Sequence, residues 1–140
     1  MIDLSTGLYL ENQGFWLPWG ITNDEAWQIG KPLPWNLPED RSRMKWENVI
    51  VLNGLECTAQ TYFPNEQSPL LQINLLDAHY EEHPPHVWLE TLQKHCRQVF
   101  GLEIGLRTWQ QGNIHLKIWH DDRFVEAFWL ELRNTAGQKS

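Results

Sequence analysis

The chain has 140 residues, with 18 acidic against 11 basic side chains and a formal net charge of −7. That length supports one domain with its own hydrophobic core, and the acidic balance, with a pI near 5.3, excludes the basic footprint of a nucleic-acid binder. A hydrophobic share of 41% beside 21% charged residues belongs to a folded globular protein and excludes a disordered one.

Residues 1–20 predict a hairpin: Leu8 and Leu10 alternate, Glu11-Asn12-Gln13-Gly14 supplies the turn, and Phe15, Leu17 and Trp19 alternate on the return. Thr22-Asn23-Asp24-Glu25 is a capping box, in which the hydroxyl and the carboxylate satisfy free amides at a helix start. Gly30 and Pro32 stop that helix early. Residues 31–45, with Pro32, Pro34 and Pro38, read as a loop able to present Trp35.

A second hairpin is expected from Trp46 to Leu52 and from Leu55 to Phe63. Asn53-Gly54 suits a two-residue type I′ turn that would pair Leu52 with Leu55 and Ile50 with Cys57. After a turn at Pro64–Pro69, Leu71, Ile73 and Leu75 predict a third strand of the same meander. The longest helix starts at Pro84-Pro85. Trp88, Leu89, Leu92, Cys96, Val99 and Phe100 recur along it at helical spacing, and Gly101 ends it.

Ile114, Leu116 and Ile118 alternate, His120-Asp121-Asp122-Arg123 turns, and Phe124, Phe128, Leu130 and Leu132 alternate again; from Asn134 the tail is polar. The whole predicts a single α+β domain over residues 1–140. Its core is a mostly antiparallel sheet of about six or seven strands built from hairpins, with two α-helices packed on one face.

Cys57 and Cys96 form no spaced motif and lie in apolar patterns, which fits reduced, buried thiols. Met1-Ile2-Asp3-Leu4-Ser5 lacks the basic and apolar regions of a signal peptide, and no apolar run reaches the roughly 18 residues of a membrane span. A cytoplasmic protein without membrane contact is the expectation.

Catalytic patterns are weak. Asp77 to His86 gathers His79, His83 and His86 with Asp77, Glu81 and Glu82, a donor set that suits zinc or iron. The spacing is not His-Glu-x-x-His, however, and two prolines follow, so a polar connection entering a helix is the preferred reading and no metal is assigned. His95 and Cys96 are helix neighbours and point to different sides. His115, His120, Asp121 and Asp122 read as strand and turn residues. Glu126 shares a strand face with Phe124, Phe128 and Leu130, so it needs a partner such as Arg107 or Arg133. Gly101 and Gly105 lack the lysine of a phosphate loop. No catalytic residue and no cofactor is expected.

The surplus is in tryptophan: nine, at positions 16, 19, 27, 35, 46, 88, 109, 119 and 129. A domain of this size buries only some of them, and exposed indoles with carboxylates make binding surfaces for a basic partner.

The opening strands into Leu17-Pro18-Trp19-Gly20-Ile21-Thr22-Asn23-Asp24-Glu25 resemble the start of small bacterial immunity proteins. The stretch Val49-Ile50-Val51-Leu52-Asn53-Gly54 with Tyr62-Phe63-Pro64-Asn65, and the paired strands around His120-Asp121-Asp122-Arg123-Phe124, are similar in style to the same group. Such proteins neutralise the toxins of contact-dependent inhibition, Rhs or type VI secretion systems. The resemblance covers most of the chain as an order of elements. It implies a non-catalytic cytoplasmic inhibitor that binds a cognate toxin domain, which for a nuclease would offer a basic groove. The expected contacts are Asp77, Glu81, Glu82, Asp121 and Asp122, with Trp35 and Trp109 as exposed anchors. The competing readings are a small metal-dependent enzyme built on His79, His83 and His86, a tryptophan-based binder of a small ligand or sugar, and an adaptor that holds its partner without blocking it.

Overall fold

Short turns join most neighbouring strands, and antiparallel pairing follows from them. A computed structural model describes the chain outside residues 1–3, 36–41, 66, 80–81, 102–107, 122–126 and 136–140. Its elements are β1 (Gly7–Leu10), β2 (Phe15–Pro18), α1 (Asn23–Gly30), β3 (Leu33–Pro34), β4 (Arg43–Val51), β5 (Leu55–Tyr62), β6 (Gln72–Leu76), α2 (Pro85–Phe100), β7 (Thr108–Gln111), β8 (Ile114–Asp121) and β9 (Ala127–Asn134). β1 and β2 form a small sheet of their own. The others form a seven-stranded sheet in the order β3-β4-β5-β6-β9-β8-β7, antiparallel throughout. The fold is α+β. Its centre is the seam between β6 and β9, where two antiparallel meanders meet.

Alternation gives the large sheet two unlike faces. Trp46, Val49, Val51, Cys57, Ala59, Ile73, Leu75, Leu116, Ile118, Leu130 and Leu132 fall on the inner face and are buried. Leu8, Leu10 and Leu17 of the small hairpin, Ala26 of α1, and Trp88, Leu92, Cys96, Val99 and Phe100 of α2 complete the same core. Both cysteines are free and buried there. Burial pushes both thiols up, Cys96 to about 12, and the Asp77 carboxylate adds to the effect of burial at Cys57.

The capping box forms as expected: the Glu25 amide donates to Thr22 Oγ1, and the Thr22 amide donates to Glu25 Oε1, each at 3.3 Å. Gly30 is the last helical residue rather than the cap, and Lys31 takes the left-handed conformation at φ 46°. Glycine at position 30 leaves room for Trp46, since a Cβ would stand 2.1 Å from its ring. Proline at the start of α2 and Gly101 at its end (φ 69°) agree with the sequence reading.

The β4–β5 turn differs from expectation. Val51 pairs with Leu55, so Leu52, Asn53 and Gly54 form a three-residue loop with φ of 50°, 64° and 103°. Ile50 therefore faces Glu56 on the outer face, and Val49 faces Cys57 in the core. Leu52 leaves the ladder to bury its side chain, which outweighs the two-residue turn. A bulge between Trp46 and Val49, with Asn48 at φ 53°, restores the inward direction of the valines. Two strands went unpredicted. β3 adds a two-residue edge to β4, which itself starts at Arg43, and β7 adds a polar edge to β8.

The outer face carries a separate aromatic cluster of Leu76 and Trp129 with Trp35 and Trp119 packed against them. Trp119 stacks on Trp129 with centroids 5.9 Å apart, and Trp35 meets Trp129 at 5.8 Å. Beside it runs an amide ladder across three strands. Asn74 Nδ2 donates to Gln60 Oε1 at 2.8 Å, Gln72 Nε2 donates to Asn74 and Glu131, and Arg133 donates to Gln72 Oε1.

Candidate functional site

The period of two in β1 and β2 turns Leu8, Leu10 and Leu17 inward and leaves Tyr9 and Trp16 on the outside. The register places these two rings opposite each other, with centroids 5.1 Å apart and planes tilted by 46°. Trp16 is 49% exposed and Tyr9 is 37% exposed. A close approach of the two strands supports the pair: at Gly7 (φ 135°) a Cβ would lie 2.2 Å from the Leu17 carbonyl oxygen, so only glycine fits there.

The two rings stand at a cleft of about 600 Å³ between the hairpin, the β4–β5 turn and the last turns of α2. Leu52 and Asn53 contribute from the turn, and Gln98 and Val99 from α2. Glu11 ties the hairpin to the turn, accepting the Gly54 amide at 3.0 Å on one oxygen and the Asn53 amide on the other. Asn12 adds two further links, donating to the Asn48 carbonyl at 2.8 Å and accepting the Ile50 amide at 3.0 Å. His95 Nε2 bonds the Leu52 carbonyl and fastens α2 to the same turn. The cleft is thus framed by polar links and lined by aromatic and aliphatic surface. Its volume lies in the range that accepts a small molecule or an inserted side chain.

The residues expected from sequence are not gathered at this cleft. Asp77 is 5% exposed, not a surface contact. Its Oδ1 accepts the His79 amide at 3.0 Å and its Oδ2 lies 2.8 Å from His83 Nδ1, so it organises the turn before α2. Glu82 is exposed, 3.9 Å from His79 Nδ1. Glu81 and Asp122 lie outside the described residues, as do Phe124, Glu126 and Arg107. Asp121 ends β8 opposite Ala127, and Trp109 pairs with Leu116 in β7; both side chains lie outside the described ones.

Trp35 is half-buried rather than presented, because β3 pairs with β4 and its ring packs on Trp129. His79 and His83 approach each other, with ring centroids 5.8 Å apart. Among the described residues, no group of three or more His, Cys, Asp or Glu side chains is placed to hold a metal.

The site residues that sequence reasoning passed over are Tyr9, Trp16 and Glu11. A signal for the rings was present: once Leu8, Leu10 and Leu17 are assigned inward, Tyr9 and Trp16 must point the other way. Glu11 carried none, because its role comes from contact with a turn distant in sequence.

Among the described residues no helix is long and apolar enough to cross a membrane. Comparison with protein-family models, with curated proteins and with solved structures found no match to this chain.

Proposed function

We propose that this chain is an immunity-type protein, which binds a toxin domain directly in the cytoplasm and blocks it without bond chemistry of its own. One observation carries the reading: Tyr9 and Trp16 are held side by side, half-exposed, on the rim of a cleft. Tyrosine and tryptophan dominate binding hot spots because they bury large area at low cost in side-chain freedom. The net charge of −7 adds steering toward a basic partner. The hairpin links through Glu11 and Asn12 hold the rings in place before contact, which lowers the ordering cost of association.

The test is co-expression with candidate toxin domains, scored by growth. The wild-type chain rescues growth. Trp16→Ala with Tyr9→Ala abolishes rescue while the melting curve stays cooperative. Rescue that survives the double substitution removes the site; no rescue by the wild-type chain removes the function.

A second reading, a small-ligand binder, is favoured by the volume of the cleft. Saturable binding of a neutral sugar such as cellobiose at Trp16, without any effect of the chain on toxin-dependent growth arrest, would select it.

A further inference from the structure

The cleft lined by the Tyr9–Trp16 pair carries a single kind of charge. Of its described lining residues, Glu11 alone is an acidic or basic residue, and the others are aromatic, aliphatic or neutral and polar. The carboxylate is fixed, since two backbone amides of the β4–β5 turn donate to it. A partner that covered the cleft with apolar surface would strip water from that carboxylate without replacing it. A cation entering beside the rings removes this cost and is attracted to the ring faces as well. Arginine fits better than lysine: its planar guanidinium is weakly hydrated, lies flat on aromatic rings and offers five donors. Thr6, Asn53 and Gln98 supply neutral acceptors around the same space.

We infer that this cleft is an arginine-binding site, and that the protein partner inserts an arginine side chain between the Tyr9–Trp16 rings and the Glu11 carboxylate. The inference rests on the partner-binding reading above and names the chemistry by which the cleft would recognise the partner.

The experiment uses the full chain and the capped tripeptide acetyl-Gly-Arg-Gly-amide, with the lysine and citrulline peptides alongside. Binding is followed by NMR at the indole N–H of Trp16, assigned with Trp16→Phe. The arginine peptide shifts that signal saturably in the millimolar range. Citrulline, which keeps the shape and loses the charge, binds about tenfold more weakly or less. Glu11→Gln weakens the arginine peptide by a similar factor, and its unchanged indole spectrum without peptide shows that the hairpin is intact. If Glu11→Gln disturbs that spectrum, the citrulline comparison on the wild-type chain decides alone.

Equal binding of arginine and citrulline overturns the inference, and so does the lack of any Trp16 shift at about 10 mM peptide. The two readings fail separately. Growth rescue that depends on Trp16 without arginine binding leaves the partner function standing and removes the cleft chemistry. Arginine binding without rescue does the reverse.

Discussion

Gly30 of α1 lies directly against the ring of Trp46 in β4, close enough that a Cβ would fall 2.1 Å from Cζ3 and 2.7 Å from Cη2. The ring cannot swing away freely, because its Nε1 donates to the buried Thr61 hydroxyl at 2.9 Å. Gly30→Ala is therefore expected to cost about 1–3 kcal/mol through overpacking, despite alanine's better helix propensity. Gly20 gives the contrast, since nothing lies within 4 Å of its Cβ position. Gly20→Ala should be neutral or raise stability by up to about 1 kcal/mol. Urea unfolding of the two variants checks both signs.

Two buried indoles differ in their polar ends. Trp46 has Thr61 as partner, whereas the Trp88 Nε1 atom is buried without a hydrogen bond. Replacing each with phenylalanine removes similar ring area, but Trp46→Phe strands a buried hydroxyl and Trp88→Phe removes a stranded donor. Trp46→Phe should be the more costly by about 1–3 kcal/mol in chemical denaturation.

The thiols make a pH prediction. Folding raises both Cys57 and Cys96 above their ordinary value of 9.0, so the unfolded chain loses these protons first. Between that value and about 12 for Cys96, the unfolded state binds fewer protons than the folded one, and stability falls as pH rises. Their stabilising share is intact below pH 9. Denaturation midpoints across this window should drop, and Cys96→Ala should flatten the drop. Alkylation of the native protein at pH 8 should label neither cysteine until denaturant is added.

Asn12 stitches the small hairpin to β4 through the Asn48 carbonyl and the Ile50 amide. Asn12→Ala should lower stability by about 1 kcal/mol. Its local effect should be larger: amides of β1 and β2 should exchange hydrogen faster, while those of β5 and β6 stay protected. Uniform acceleration across all strands would refute a local clamp.

The legible parts of the fold were those with strong local chemistry. α2 has an apolar stripe at helical spacing between Pro85 and Gly101, and Thr22 with Glu25 marks the start of α1. β3 was hidden because Pro34 and a two-residue length give no alternation, and β7 because Thr108, Gln110 and Gln111 make a polar edge. The β4–β5 register was missed by one residue, since burial of Leu52 favoured a three-residue loop over the Asn53-Gly54 pair alone. Of the expected contacts, Asp77 failed as a surface group because its side chain closes a local turn with His79 and His83. Tyr9 and Trp16 followed from the inward leucines by simple complement, but only the packed structure shows the turn and helix that make a cleft beside them.

The seam between β6 and β9 also governs how the molecule is made. β4, β5 and β6 lie on one side of it and β7, β8 and β9 on the other, and each set is joined by local connections. Leu75 and Leu130, paired across the seam, can meet only after α2 and the whole second meander have been synthesised. Among the strand pairs this one closes the longest loop, so the folding barrier should be crossed there. On the ribosome, the first meander must wait with β6 as an open edge until its neighbour emerges.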